Sequence, residues 1–402
     1  MTRLLLIAPT CDGTDVGESW VAYNWASRLG ERYDTTLLTY HKRDRPLATP
    51  QLPGLRVVEW RDPPLVGRYE RLNSMMKPGY VPFCGKARRW VRRAIAGGEH
   101  FDLAFQPVPV AMRYPSPMTG LGIPFVFGPV GGGLSSPPAF GADEDTSPWF
   151  VRLRALDGWR LHHDWLLRRT YEDAACVLGI GEYVRTQLED IEIQAFRVMS
   201  ETGLSEIPPP VDRSDRTGPV RLLYVGRLVR TKGARDAIRA LSLIRDLEVM
   251  FDIVGDGPDR DACESEAREL GLGERVVFHG AQPRSAVSER YRAADVFVFP
   301  SYQEPGGNVV PEAMSFGLPV VVCNRGGPGL ATTDDCAIRL AVESPEALSQ
   351  DVANAVRTLV NDSALRHKMG MIARKRAQTY LMWDSKVDEL SEIFEHVLAS
   401  AR

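Results

Sequence analysis

The chain has 402 residues, with 49 basic and 52 acidic side chains, 44% hydrophobic residues and six cysteines. Chains beyond about 250 to 300 residues outgrow a single hydrophobic core, so this length predicts two domains. The net charge of −3 divides into +1 over residues 1–204, with 24 basic against 23 acidic groups, and −4 beyond, with 25 against 29, so neither half carries the basic surplus of a nucleic-acid binder.

The cysteines, at 11, 84, 176, 263, 323 and 336, form no C-x-x-C pair and read as buried thiols in a reducing compartment. The apolar run Leu4–Ala8 is shorter than the ~7 to 15 residues of a secretory signal. Asp12, Asp15 and Glu18 follow at once, which favours a buried first strand. No run approaches the ~18 apolar residues of a membrane span, so the expectation is a soluble, cytoplasmic protein.

Short apolar runs alternate with amphipathic stretches in the pattern of parallel strands and crossover helices. Strands are predicted at 3–9, 34–40, 55–59, 101–105, 124–127 and 176–181, with helices at 19–29, 149–173 and 183–189. Residues 205–219, with Pro208, Pro209 and Pro210, read as a stiff linker. A second series follows: strands at 220–225, 248–254, 275–278, 295–299 and 319–323, and helices at 235–244, 259–270, from 310, 345–361, 363–380 and 383–398. The expected fold is α/β, with two doubly wound parallel-sheet domains facing a cleft: 1–204, then 220–380 after the linker, with a terminal helix over 381–402.

Three strand-end loops carry chemistry. Tyr302-Gln303-Glu304-Pro305-Gly306-Gly307-Asn308-Val309 runs from a strand into a helix bearing Glu312, so backbone N–H groups can face an anion at the helix start, and two carboxylates eight positions apart can address one extended ligand. Gly226-Arg227 through Lys232-Gly233 places a guanidinium and an ammonium around a glycine-bounded loop, which suits a diphosphate. Gly255-Asp256-Gly257-Pro258 is a weaker signal of the same kind. No G-x-G-x-x-G follows the first strand and no G-x-x-x-x-G-K-[ST] occurs, which removes the main support for nicotinamide enzymes and P-loop nucleotidases.

In this order and spacing, and with Glu312-Ala313-Met314 and Gly317-Leu318-Pro319-Val320-Val321, the chain resembles the large family 4 of retaining, nucleotide-sugar-dependent glycosyltransferases with the GT-B fold. The resemblance is strong over about residues 205–330 and looser before them. It implies that the second domain binds the donor and the first the acceptor, and that the terminal helix crosses back to the first. It implies that Arg227 and Lys232 bind the donor diphosphate and stabilise charge on the leaving group, and that Glu304 faces the transferred sugar. Gly306, Gly307, Asn308 and Val309 would offer backbone N–H groups, and Glu312 would accept from the ribose. Gly226, Gly255 and Gly257 would line the nucleotide. Gly17, in the loop Asp12–Ser19, would close on the diphosphate from the first domain. Attack on the same face as the departing phosphate is the favoured route, with double displacement through Glu304 as the other. No metal site is implied, since no D-x-D is set on a strand end. No cofactor is implied beyond the nucleotide sugar itself, most simply a UDP-sugar, and the partner is an unidentified hydroxyl acceptor. A UDP-sugar 2-epimerase of the same fold and a non-catalytic nucleotide-sugar binder are the alternatives.

Two departures stand out. Glu304-Pro305-Gly306-Gly307 lacks the aromatic common in that family, and Phe127-Gly128-Pro129-Val130-Gly131-Gly132-Gly133 lacks its histidine. Residues 128–148, rich in glycine, proline and acids, are the candidate for acceptor contact, and His279 is a candidate for the base. Lys86, Arg88, Arg89, Arg92 and Arg93 form a modest basic patch, read as a solvated face with peripheral membrane contact as the other reading. His162-His163 lacks the i, i+4 spacing of a helical metal pair.

Overall fold

In the computed structural model, residues 1–43, 45–63, 77–143, 155–213 and 216–400 are described. Contacts divide the chain into two units: Met1–Gly133, Trp149–Thr202 and Trp383–Arg402 form one, and Leu134–Pro148 with Gly203–Met382 the other.

The first unit is built on parallel strands β1 (Arg3–Thr10), β2 (Asp34–His41), β3 (Arg56–Arg61), β4 (Leu103–Gln106), β5 (Phe125–Val130), β6 (Cys176–Gly179) and β7 (Phe196–Val198), in the order β3-β2-β1-β4-β5-β6-β7. Alternation along β1 sends Leu5 and Ile7 into a cluster with Phe83 and Tyr171, and Leu4, Leu6 and Ala8 into another with Trp25 and Phe394. Both faces are thus covered, which is why the central strands read as unbroken apolar runs. Helices α1 (Glu18–Arg32), α2 (Ala48–Gln51), α3 (Tyr80–Ala96), α4 (Ala155–His163), α5 (Trp165–Asp173) and α6 (Glu182–Gln187) lie between these strands in the described chain. The single helix expected over 149–173 is two, because Asp164 ends one and caps the next, its Oδ1 accepting from Leu166 N and Leu167 N at 3.2 Å each. The part of that expectation before Ala155 lies outside the described residues.

The second unit has strands β8 (Val220–Val225), β9 (Val249–Val254), β10 (Val276–Gly280), β11 (Val296–Phe299), β12 (Val320–Cys323) and β13 (Ala337–Leu340), all parallel, in the order β10-β9-β8-β11-β12-β13. Its helices are α7 (Ala234–Ser242), α8 (Arg260–Glu269), α9 (Arg284–Ala293), α10 (Val309–Ser315), α11 (Gly326–Ala331), α12 (Pro345–Asn361) and α13 (Ser363–Tyr380). Sequence reading does not reach α9, of which only Tyr291 is buried, nor β7 and β13, whose three and four residues, each with an arginine, are too few to show a strand period.

Helix α14 (Trp383–Ser400) belongs to the first unit. Trp383 is fully buried edge-to-face on Trp25, with centroids 5.1 Å apart, and Phe394 lies 5.6 Å from Phe105. Residues 134–140, which the sequence leaves with the first half, group instead with the second unit, because Leu134 and Phe140 are buried there. No helix of the described residues is long and apolar enough to cross a membrane. Five of the six cysteines are buried and Cys84 is half-buried; none is in a disulfide.

In each sheet the strand order reverses beside the first strand, between β1 and β4 and between β8 and β11. Ligands of open α/β sheets bind at such switch points, outside the carboxyl ends of the strands. In the second unit this brings the loops after β8 and β11, far apart in sequence, to adjacent positions.

Candidate active site

The β8 loop, Gly226–Gly233, and the β11 loop, Pro300–Asn308, are stitched together. Thr231 O accepts from Tyr302 N at 3.2 Å and from Ser301 Oγ at 3.1 Å. Arg230 forms a bidentate pair with the fully buried Asp236, at 2.5 and 3.1 Å, which anchors the β8 loop to the first turn of α7. Lys232, in the turn Arg230–Lys232, then extends to the β11 loop, donating to Glu304 Oε2 at 2.7 Å and to Gln303 O at 3.0 Å. Two of the three residues expected to carry chemistry therefore meet as an ion pair, with side chains 20% and 17% exposed.

Arg227 projects from the same loop, exposed, and makes no ion pair among the described residues. Beneath it, the Gly255–Pro258 turn supports the loop backbone: Gly226 N donates to Val254 O and Leu228 N to Asp256 O, both at 3.0 Å. Gly255, at φ 138, has no room for a side chain, since a Cβ there would lie 1.9 Å from Gly226 O, and Gly257 lies against the Leu228 backbone. The two glycines expected near the nucleotide thus have a packing task, bringing the Arg227 loop onto β9.

Past Glu304 the chain turns at Gly307, φ 78, where a Cβ would sit 2.9 Å from Glu304 Cγ. Gly306 and Val309 are half-buried and Asn308, the residue before α10, is exposed. Glu312 follows in the first turn of that helix and accepts from Tyr291 Oη at 3.3 Å. Burial pushes the Glu312 carboxyl above the usual range, against the opposing pull of Arg284 and the Tyr291 hydroxyl. Gly17 is placed elsewhere, in the first unit, at the start of α1 with φ 64 and open space around it.

Other candidates resolve into structural contacts. His279 Nε2 meets Asp252 Oδ1 at 2.6 Å, so its ring is engaged inside the sheet. His162 faces Asp190 at 3.3 Å, while His163 stacks on Trp159. In α3, Lys86 lies over the Tyr40 and Trp60 rings and Arg88 donates to Pro117 O, leaving Arg89, Arg92 and Arg93 exposed. A cavity of about 910 Å³ in the first unit opens at the amino ends of β5 and β6, beside Pro124, Cys176 and His396, the opposite edge from the switch point. Sequence reading missed Arg230, Gln303 and Tyr291; the 134–140 segment it singled out, within 128–148, for acceptor contact, and its contacts with Tyr302, Gln303 and Arg325 were not foreseen. Arg230 had a signal, a basic residue six positions before a helix-start aspartate; the others had none.

Two Rossmann-like parallel-sheet units in one chain, with cation and carboxylate joined at a switch point, place the protein in the GT-B class of folds. Residues 212–376 match the model of the family described as Glycosyl transferases group 1. The chain is 31% identical to glycogen synthase of Mycobacterium tuberculosis over 232 residues, 57% of this chain and 55% of that protein, so it spans about half the length of that relative. Its structure is similar to sucrose-phosphate synthase of Thermosynechococcus elongatus, with a TM-score of 0.65 and 19% identity over 100% of both chains. It is also similar to Anabaena HepE in complex with UDP and glucose, with a TM-score of 0.63 and 17% identity over 98% of this chain and 100% of that one.

Proposed function

We propose that the protein is a retaining glycosyltransferase that moves a sugar from a nucleoside diphosphate, most simply UDP, to a hydroxyl of an acceptor. The observation that carries this reading is the Lys232–Glu304 contact at 2.7 Å beside the exposed Arg227, all at the carboxyl edge of one sheet. The likeness to a structure holding UDP and glucose supports the choice of nucleotide.

The cations would take the diphosphate. As the bond between the anomeric carbon and the β-phosphate oxygen breaks, negative charge gathers on that oxygen, and two preorganised cations stabilise it more in the transition state than in the ground state. Glu304, adjoining Lys232, would face the positive character at the anomeric carbon. The acceptor oxygen attacks from the face the phosphate leaves, and its proton passes to the departing phosphate oxygen, so the nucleoside diphosphate leaves and configuration is retained. Glu312 would accept from ribose hydroxyls. Gly17 would approach the diphosphate from the first domain. A cytoplasmic setting belongs to the same reading, with Arg89, Arg92 and Arg93 as a solvated face.

Calorimetry against UDP, GDP, ADP and dTDP tests it. Binding of one of them, followed by sugar transfer or slow sugar release from the matching nucleotide sugar, is expected. No binding at millimolar concentration would sink the reading.

A further inference from the structure

Leu134–Phe140 follows the glycine run at the end of β5, and its two end residues are buried in the second unit, Leu134 at 7% and Phe140 at 1% exposure, while Ser135, Pro138 and Ala139 between them stay exposed. Phe140 joins the cluster that holds Tyr224, Phe299 and Tyr302, and its ring centroid lies 4.2 Å from that of Tyr302. Side chains from two loops hold its backbone: Gln303 Nε2 donates to Leu134 O at 2.8 Å, and Arg325 Nη2 donates to Ser135 O at 2.9 Å.

All three attachments flank Glu304. Tyr302 and Gln303 immediately precede it in the chain. On the other side, Glu304 O accepts from Gly327 N at 3.0 Å. Gly326, next to Arg325, lies so close that a Cβ there would be 2.1 Å from Glu304 O and 3.0 Å from Leu134 Cδ2. The Glu304 loop itself contains Pro305-Gly306-Gly307, and the two glycines give it many alternative backbone states. Each residue confined to one state loses roughly 1 to 2 kcal/mol of backbone entropy, so a loop like this keeps one conformation only where neighbours enforce it.

We propose that Leu134–Phe140 is a positioning strap: by packing Phe140 against Tyr302 and lending two carbonyls to Gln303 and Arg325, it fixes the loop that presents Glu304 and so sets the rate of the transfer step, without taking part in nucleotide binding. The proposal rests on the reading of Glu304 as the group that faces the transferred sugar. Phe140, Gln303 and Arg325 act through Glu304 and are positioning residues.

The test compares wild type, Phe140→Ala, Phe140→Leu and Gln303→Ala in two measurements. In amide hydrogen exchange, the Gly327 amide bonded to Glu304 O is expected to exchange about tenfold faster in Phe140→Ala and Gln303→Ala, as local opening becomes easier. In turnover of whichever of UDP-, GDP- and dTDP-glucose is used fastest, kcat should fall about 10- to 100-fold, the loss that a misplacement near 1 Å brings. KM and the calorimetric Kd for the matching diphosphate should stay within about twofold, and Phe140→Leu should recover most of kcat. Unchanged exchange and kcat in both alanine variants would overturn the strap. So would a Kd that rises in step with the loss of kcat, because the segment would then be supporting the whole domain. Should Phe140→Ala fail to fold, Gln303→Ala, which removes one hydrogen bond, decides. If wild type binds no nucleoside diphosphate, the transferase reading fails on its own, and the exchange comparison still decides whether the strap orders this loop.

Discussion

Lys232 and Glu304 hold each other 72 positions apart, and a bound diphosphate would draw on the same ammonium. Replacing Lys232 by alanine should therefore weaken both nucleotide binding and chemistry, with kcat falling about 10²-fold or more, as when a preorganised donor is lost at developing charge. Glu304→Ala should lower kcat by a similar order while leaving the calorimetric Kd for UDP within about threefold. Steady-state kinetics of the two single variants and the double variant decide, and unchanged turnover in Glu304→Ala would remove that residue from the mechanism. Glu312 carries a pH signature. Its carboxyl is raised by burial, and the ionised form is the better acceptor for ribose, so nucleotide affinity should fall as pH drops through that raised value. Glu312→Gln should bind more weakly at neutral pH and lose this part of the dependence; calorimetry between pH 5 and 8, with the variant as reference for the phosphate's own titration, separates the two. At this scale Arg227, Lys232, Glu304 and Glu312 were legible because charged residues beside glycines at strand ends have few purely structural uses. Gln303 and Tyr291 were not, since an amide or a phenol carries no sign of which way it will point.

Helix α14 shows what an element can hide. Its Lys386 is 5% exposed, donates to Ser200 Oγ, and is pulled down to about 8 by burial, with Glu389 opposing. A lysine whose folded value lies below its unfolded value of 10.5 binds fewer protons in the folded state between those limits, so its contribution to stability is present above 10.5 and lost as pH falls through 8. At neutral pH it is a burden of at most about 3 kcal/mol. Lys386→Met should therefore be more stable than wild type at pH 7, and the gain should shrink toward pH 10; urea unfolding at the two pH values measures both, and a destabilised Lys386→Met at pH 7 would contradict it. The amphipathic stripe of this helix was readable, and so were α12 and α13, which start on the capping residues Ser344 and Asp362. The break at Asp164 was not, because an aspartate inside a helical pattern signals a cap only when the chain turns there.

Each unit has its own apolar clusters, the first split over two sheet faces and the second gathered in one large group with Phe140. A nucleotide held by the second unit should then stabilise that unit's unfolding transition by about 2.7 kcal/mol at 100 Kd. Trp383→Ala, which removes a fully buried indole, should lower the first unit by roughly 3 to 5 kcal/mol. Scanning calorimetry with and without UDP reads both; a transition that UDP raises and Trp383→Ala leaves in place is expected, and a single transition moved by both would show one cooperative unit. The α/β class, the two series of strands and the order of the charged loops all follow from local pattern, because strand and helix periods and turn residues are written over spans of ten residues or fewer. The meeting of Lys232 with Glu304 depends on β8 and β11 being neighbours in the sheet, which no local stretch encodes. The seating of Phe140 on Tyr302 depends likewise on where an isolated aromatic in a glycine- and proline-rich segment finds an apolar surface to bury itself against. Both are long-range contacts, selected by the burial and hydrogen bonding of the assembled chain.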